Sequence, residues 1–302
     1  MSLLAVQSGF ALCRRQLLAG MGLAGLVGLS CGRSQIRTVI RSAGSDTVVN
    51  LAQAWAEAYA LIDPGTSVEV SGGGSATGIA ALIDGAADLA NSSRRIEPEE
   101  RTAALRKRGR EPREWITGHD ALALYVHRDN PLNEISLLQL AEVFGRDGGI
   151  TRWSQLGVQL PHSGSDEIIL ISRQSNSGTF QYFRKALLGP TRGFRLGTRD
   201  LNGSKEVVSL IGETLGTIGY SGMGYASDRV KMLAVSKARG EPAYLPTVGN
   251  SEAGRYPISR PLYVYTLGTP VGDVKSYLDW TLSPAGQEVV VRAGFVPASP
   301  RS

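Results

Sequence analysis

Runs of aliphatic and β-branched residues alternate with amphipathic runs from residue 36 to residue 110, and this alternation constrains the fold more than any other feature of the chain. Extended runs at 36–41, 67–71 and 87–92 are each followed by helical periodicity, at 47–60, 76–84 and 98–110. Strand, helix, strand, helix at this spacing means parallel strands joined by crossover helices, hence an α/β sheet covered on both faces. The pattern breaks at 115–128, a long apolar stretch closed by Asn130-Pro131. Beyond it the sequence predicts a helix at 136–144, a loop-rich segment with Gly148-Gly149 and Pro161-His162, a strand at 167–173, a helix from Ser177 and short elements to Val235. A strand at 261–267 and helices at 271–282 and 284–293 close the chain, with no internal repeat and no low-complexity linker.

A chain of 302 residues, 42% hydrophobic and 20% charged, can form one large or two medium domains with a sizeable core. Arg14 and Arg15 precede an apolar, small-residue run at 16–30 that ends at Cys31. That run is too short to span a bilayer and follows its charges, so residues 1–30 read as an export signal, the alternative being an apolar first helix. The paired arginines before Leu17-Leu18 resemble a twin-arginine signal. The small residues before Cys31 resemble a lipoprotein cleavage site, which makes Cys31 the candidate lipidated residue, although Gly28 stands where that pattern has Leu. Cys13 and Cys31 are the two cysteines, so a product cut just before Cys31 has no intrachain disulfide, and a CxxC pair or Cys-rich zinc site is excluded. From Cys31 onward 30 basic side chains face 27 acidic ones, a formal net charge of +3 that does not argue for nucleic acid.

Three loops share one construction, each between a predicted strand and a predicted helix: Ser42-Ala43-Gly44-Ser45-Asp46-Thr47, Ser71-Gly72-Gly73-Gly74-Ser75-Ala76-Thr77-Gly78, and Arg173-Gln174-Ser175-Asn176-Ser177-Gly178-Thr179. Glycine lets the backbone approach a ligand, and a hydroxyl sits where the first free N–H groups of a helix are exposed. Each helix N-terminus acts as roughly half a positive charge, so three that converge supply about +1.5. Arg173, which the strand phase can place at the same edge, brings the total near that needed for a divalent oxyanion. For any one loop alone, ordinary helix capping is the better account of the pattern.

Catalytic versions of these loops fail on inspection. Gly73 and Gly78 have P-loop spacing, but Ile79-Ala80 follows where a nucleotide site needs Lys and Ser or Thr. Gly73-Gly74-Ser75-Ala76-Thr77 is a nucleophile elbow without its last glycine or a nearby base. His119, His127 and His162 lack ligand spacing, so no metal, cofactor or catalytic residue is assigned and the chain reads as a non-enzyme. In the basic stretch 94–113, Arg101, Arg106, Lys107, Arg108 and Arg110 alternate with Glu97, Glu99, Glu100 and Glu111, the pattern of a solvated helix face; contact with anionic lipid or cell-wall polymer is the alternative. Trp55 and Tyr59, at i and i+4, read as core packing.

Gly44-Ser45-Asp46-Thr47, Ser71-Gly72-Gly73-Gly74-Ser75, Asn91-Ser92-Ser93-Arg94, Arg173 with Ser177-Gly178-Thr179, Ile218-Gly219-Tyr220 and Tyr256-Pro257-Ile258-Ser259-Arg260-Pro261-Leu262 occur in this order. The ordered set, from about Arg37 to Val296, resembles the PstS-type phosphate-binding proteins of the phosphate ABC importer. Tyr277-Leu278-Asp279-Trp280 and Ser283-Pro284-Ala285-Gly286-Gln287 are similar to that family's closing helices.

The resemblance implies a two-lobed type II periplasmic-binding-protein fold (Venus flytrap), each lobe a mixed, mostly parallel sheet flanked by helices, with two hinge crossings. Lobe one is then 36–121 plus 262–302 and lobe two 122–261. It further implies an exported monomer, periplasmic or a cell-surface lipoprotein, that touches the membrane only through an anchor at Cys31 and delivers inorganic phosphate to the permease subunits of an ABC importer. The family's anion-holding positions fall on Ser45, Asp46, Thr47, Ser75, Ser93, Arg94, Arg173, Ser177, Gly178 and Thr179. Ser93 stands where some members carry an acidic residue that accepts the proton of hydrogen phosphate, and Asp46 is the candidate replacement. A buried acceptor disfavours sulfate, which has no proton to give: an unpaired buried charge costs several kcal/mol, and ~1.4 kcal/mol is tenfold in affinity. The rival readings are a receptor for sulfate, molybdate or another oxyanion, a phosphatase using the same pocket, and a phosphate-reporting protein acting on a partner in trans.

Overall fold

The computed structural model describes residues 38–161 and 164–298. The export signal, Cys31 and His162 lie outside them. In chain order the elements are β1 (Thr38–Gly44), α1 (Val49–Ala60), β2 (Thr66–Ser71), α2 (Ser75–Asp84), β3 (Leu89–Ser92), α3 (Pro98–Arg108), β4 (Pro112–His127), β5 (Glu134–Ser136), α4 (Leu137–Phe144), β6 (Ile169–Arg173) and α5 (Gly178–Leu188). They continue with β7 (Arg199–Leu201), α6 (Ser204–Glu213), β8 (Thr217–Gly222), β9 (Val230–Met232), β10 (Ala234–Ser236), α7 (Val248–Glu252), β11 (Ser259–Leu267), α8 (Gly272–Thr281), α9 (Pro284–Arg292) and β12 (Val296–Pro297).

The main sheet runs β2-β1-β3-β11-β4-β8-β6-β7, with β12 and β9 also paired to β4. β1 pairs in parallel with β2 and β3, and β6 with β7 and β8, as crossover helices require. β4 and β11 instead run antiparallel to every strand they meet, which makes the sheet mixed. β4 is the long apolar stretch of the sequence, and at 16 residues it is roughly 50 Å long. Its first part, Pro112 to Ala121, is laddered to β11; its second part, Leu122 to His127, to β8 and β9. One continuous strand therefore serves two sheet halves.

The apolar cores divide along the same line. Ile40, Leu51, Trp55, Leu89, Leu262, Val264, Leu278 and Val290 pack α1, α8 and α9 on one face of the first half, and Ile79, Leu82, Ala104, Tyr263 and Tyr265 pack α2 and α3 on the other. The second half has its own clusters, around Leu124, Phe144, Trp153, Phe183 and Tyr220, and around Tyr125, Ile171, Val207 and Ile211. The helical period places Trp55 and Tyr59 on the buried face of α1, where Trp55 Nε1 donates to the Gly286 carbonyl at 2.8 Å. In the first half, β1, β2 and β3 end at one edge of the sheet and α1, α2 and α3 end at the opposite edge.

Candidate functional site

The carboxyl ends of β1, β2, β3 and β6 carry the hydroxyl-rich loops singled out in the sequence, and the loops of the two halves meet. Gly74, at φ +95°, starts α2 in a conformation that L side chains avoid, and a Cβ there would lie 2.8 Å from the Asn176 carbonyl oxygen. The close approach is held by Ala76 N donating to Asn176 O (3.2 Å) and Asn176 Nδ2 donating to Gly73 O (2.9 Å). Gly178 opens α5 against the other half: a Cβ there would sit 2.3 Å from Ser75 Oγ and 2.8 Å from Ser93 Oγ.

Five buried hydroxyls converge here. Ser45 Oγ donates to Ser93 Oγ at 2.9 Å, Ser75 Oγ and Ser93 Oγ are 3.4 Å apart, and Thr179 Oγ1 lies 2.7 Å from Thr47 Oγ1 and 3.5 Å from Ser93 Oγ. Ser177 is nearby in another role. Its Oγ caps α5, accepting from the N–H groups of Thr179 (3.2 Å) and Phe180 (3.4 Å). α1 starts at Val49, two residues later than its pattern predicts, so Thr47 lies in the preceding turn and aims its hydroxyl at Thr179.

Arg173 ends β6 fully buried, and its Nη2 forms a 2.8 Å ion pair with Asp46 Oδ2, joining the two halves. Its Nη1 donates to Ser204 Oγ (2.9 Å) and its Nε to Asn202 O (3.1 Å). Burial pulls the guanidinium pKa below its ordinary value while Asp46 pushes it back, and an arginine remains charged throughout. The other Asp46 oxygen accepts from Gly73 N–H at 2.8 Å. Tyr225 OH donates to Asp46 O at 2.5 Å, and burial pushes its phenol pKa up, keeping the proton in place. Asp46 is thus an acceptor already engaged on both oxygens, with lone pairs to spare.

A second guanidinium, unremarked as a ligand in the sequence, stands among the hydroxyls. Arg260 on β11 faces its register partner Asp120 on β4, and Nε and Nη2 donate to Asp120 Oδ2 at 3.2 and 2.9 Å. Nη2 also donates to Thr179 Oγ1 (2.9 Å) and Thr47 Oγ1 (3.4 Å), and Nη1 to Ser93 O (3.1 Å). Because a guanidinium only donates, the two threonine oxygens accept from it and their protons point elsewhere. Asp120 Oδ1 accepts from Met223 N–H at 3.1 Å. Two arginines and two aspartates leave the cluster formally neutral. The local positive potential then comes from the first turns of α2 and α5, about half a charge each.

Arg94 stands apart from the other predicted residues. Its side chain turns from the hydroxyls to Glu100, Nη1 and Nη2 donating at 2.8 and 2.6 Å, because the capping box of α3 holds Glu100 beside it. Of the predicted residues, Ser45, Thr47, Ser75, Ser93 and Thr179 share the cluster with the Gly178 backbone, Asp46 and Arg173 brace it as a pair, and Ser177 caps the helix that enters it. Asp120, Asn202, Ser204, Tyr225 and Arg260 were missed. An acid alone within an apolar strand was the available signal for Asp120, and Arg260 lay inside one of the quoted motifs. Beside the cluster a cleft is lined by Ser93, Arg94, Tyr182, Arg260 and Tyr263.

The PBP superfamily domain matches residues 32–285, and the chain belongs to that superfamily. It is 34% identical over 269 residues to the phosphate-binding protein PstS of Pseudomonas aeruginosa, covering 85% of this chain and 82% of that protein. Protein SphX of Synechococcus elongatus is 32% identical over 273 residues, with 86% and 78% covered. More narrowly, then, the chain is a member of the family of these PstS proteins. A structure from Clostridium perfringens, described as a phosphate ABC transporter substrate-binding protein with bound phosphate, matches with a TM-score of 0.76 at 26% identity, covering 86% of this chain and 100% of that one. A phosphate transport receptor from Vibrio cholerae, at 24% identity and TM-score 0.65 over 86% of this chain and 100% of the other, shares the fold.

Proposed function

We propose that the chain is an extracytoplasmic substrate-binding protein that closes on inorganic phosphate between two lobes and presents it to the permease of an ABC importer. The observation that carries this reading is the buried hydroxyl cluster drawn from both sheet halves and served by two guanidiniums. The lobes are 36–121 with 262–302, and 122–261, and the hinge is where β4 and β11 pass between them. Separate apolar cores on either side and the single long β4 support that division. The names of the relatives support phosphate as the cargo. Export through residues 1–30 and lipidation at Cys31 complete the proposal.

In this mechanism the lobes part, the hydroxyls release one another, and on closing they donate instead to the oxygens of a desolvated tetrahedral anion. Arg260 aims the Thr47 and Thr179 protons, the first turns of α2 and α5 add backbone N–H donors, and the ionised Asp46 accepts a hydrogen bond from the O–H of hydrogen phosphate. Calorimetry on the chain with phosphate, sulfate and arsenate tests the proposal. Phosphate and its close mimic arsenate are expected to bind, sulfate far more weakly, and Arg173→Ala to weaken phosphate binding at least tenfold. Sulfate binding as tightly as phosphate would assign the site to a different oxyanion. Unchanged phosphate affinity in Arg173→Ala would remove the site altogether.

A further inference from the structure

The first turn of α2 meets the hydroxyl cluster through Ser75, yet α2 carries no side-chain cap of its own, because its N-cap is Gly74. α5, which approaches from the other sheet half, is capped within its own sequence by Ser177. The N–H groups that open a helix have no partner in that helix and need one from elsewhere. For Ala76 the partner comes from the opposite half: the Asn176 backbone carbonyl accepts from its N–H at 3.2 Å, and Asn176 Nδ2 donates to the Gly73 carbonyl at 2.9 Å. Two bonds from one residue therefore bracket Gly74, whose φ of +95° and lack of a Cβ let the Asn176 carbonyl come this close. The loop that receives them is tied in turn to the loop after β1, Gly74 N–H donating to Gly44 O at 3.0 Å and Gly73 N–H to Asp46 Oδ1 at 2.8 Å.

We infer that Asn176 is a positioning residue that caps α2 from across the cleft, so that the helix end at the site is completed only while the two halves are together. The inference rests on the two-lobe phosphate reading above and adds to it the contact that governs release. Asn176 makes no hydrogen bond to the hydroxyls of Ser45, Thr47, Ser75, Ser93 or Thr179 among the described residues, so it acts through the backbone on either side of Gly74 and not on the anion. When the halves part, Ala76 loses its acceptor and Gly73 its donor in the same movement. Opening bears that cost, and an enclosed anion leaves more slowly for it. A cap shifts a helix-end equilibrium by about fivefold, which is the factor by which this contact should slow release. The preference among oxyanions is independent of it, because the contact reaches no anion oxygen.

Stopped-flow release of inorganic phosphate and amide hydrogen exchange at Ala76 test the inference on the chain. Ala76 lies in the first turn, where no carbonyl of its own helix accepts, so its protection reports the bond to Asn176. In Asn176→Ala, phosphate should leave about fivefold faster, Ala76 should exchange faster by a similar factor, and the phosphate-to-sulfate preference should stay at the parent value. Gly74→Ala sets a Cβ against the Asn176 carbonyl from the other half and should also speed release. The double variant should release phosphate no faster than the quicker single one, since one contact is lost only once, whereas two unrelated structural defects would add. Unchanged release in Asn176→Ala, additive effects, or an unprotected Ala76 in the phosphate-loaded parent overturns the inference, and a changed phosphate-to-sulfate preference overturns the positioning role. If the parent takes up no phosphate, the phosphate reading fails by itself. Ala76 exchange in the anion-free chain then decides the cap: protection lost in Asn176→Ala upholds it, and no protection overturns it.

Discussion

Asp120 and Arg260 are the two halves of one buried ion pair, yet their removal should have opposite consequences for anion binding. The Arg260 side chain is 1% exposed and the Asp120 side chain 0%, and the nearest contact is 2.9 Å. Breaking a buried pair by removing one partner costs about 3–5 kcal/mol, because the other charge is left without compensation. In a chain of this size that lowers the unfolding midpoint by roughly 5–15 °C in phosphate-free buffer. Asp120→Asn leaves a bare guanidinium that already touches Thr47 and Thr179, and an arriving oxyanion replaces the missing carboxylate. If the anion restores half of the loss, about 2 kcal/mol, phosphate affinity rises more than tenfold and the phosphate-induced gain in midpoint exceeds that of the parent. Arg260→Gln leaves a bare carboxylate instead, so the anion meets like charge, affinity falls, and the phosphate-induced gain shrinks. Thermal unfolding with and without excess phosphate, together with calorimetric titration, measures both. Should the two variants move affinity in the same direction, or neither move it, Arg260 is no part of the anion site and the pair is a structural clasp alone.

Asp46→Asn removes a carboxylate beside the hydroxyl loops that has lone pairs to spare, and the phosphate-to-sulfate affinity ratio should narrow about tenfold or more; an unchanged ratio in calorimetry moves the proton acceptor elsewhere. Gly178→Ala places a Cβ against Ser75 and Ser93 and holds the loops apart, so phosphate affinity should fall at least tenfold while the phosphate-free unfolding free energy changes by less than the roughly 1–3 kcal/mol of ordinary overpacking; parent-like affinity would show that these loops need not meet. Burial pushes the His119 pKa below its ordinary value, with the Pro297 backbone opposing. The unfolded chain therefore takes up this proton first as pH falls, and the stability contribution is lost from about pH 6.5 downward. Urea unfolding at pH 7.5 and pH 5 should show a smaller difference in His119→Gln than in the parent, and equal differences would exclude His119 as a contributor.

What the sequence revealed and what it hid follow from the range of the interactions. Glycine at a strand end and a hydroxyl at a helix start act within a few residues, so the loops at Ser45, Ser75 and Ser177 were legible before any fold was known. Alternating periodicity likewise located the strands and helices of the first half. Arg260 and Asp120 were not legible in this way, because they lie 140 residues apart and become partners only through the register of β11 on β4. Arg94 stands apart for a local reason: its neighbour Ser93 does reach the hydroxyl cluster, but Glu100, fixed by the capping box of α3, intercepts the guanidinium. The larger consequence concerns charge. Counting Arg173 as a free cation implied attraction by net positive charge, whereas the fold pairs it with Asp46 and pairs Arg260 with Asp120. A neutral cluster has little long-range pull on an anion, so its selectivity has to come from the direction of its donors. Arg260 biases that direction by occupying one lone pair on each threonine, which favours the two ambivalent hydroxyls as donors to whatever the loops enclose.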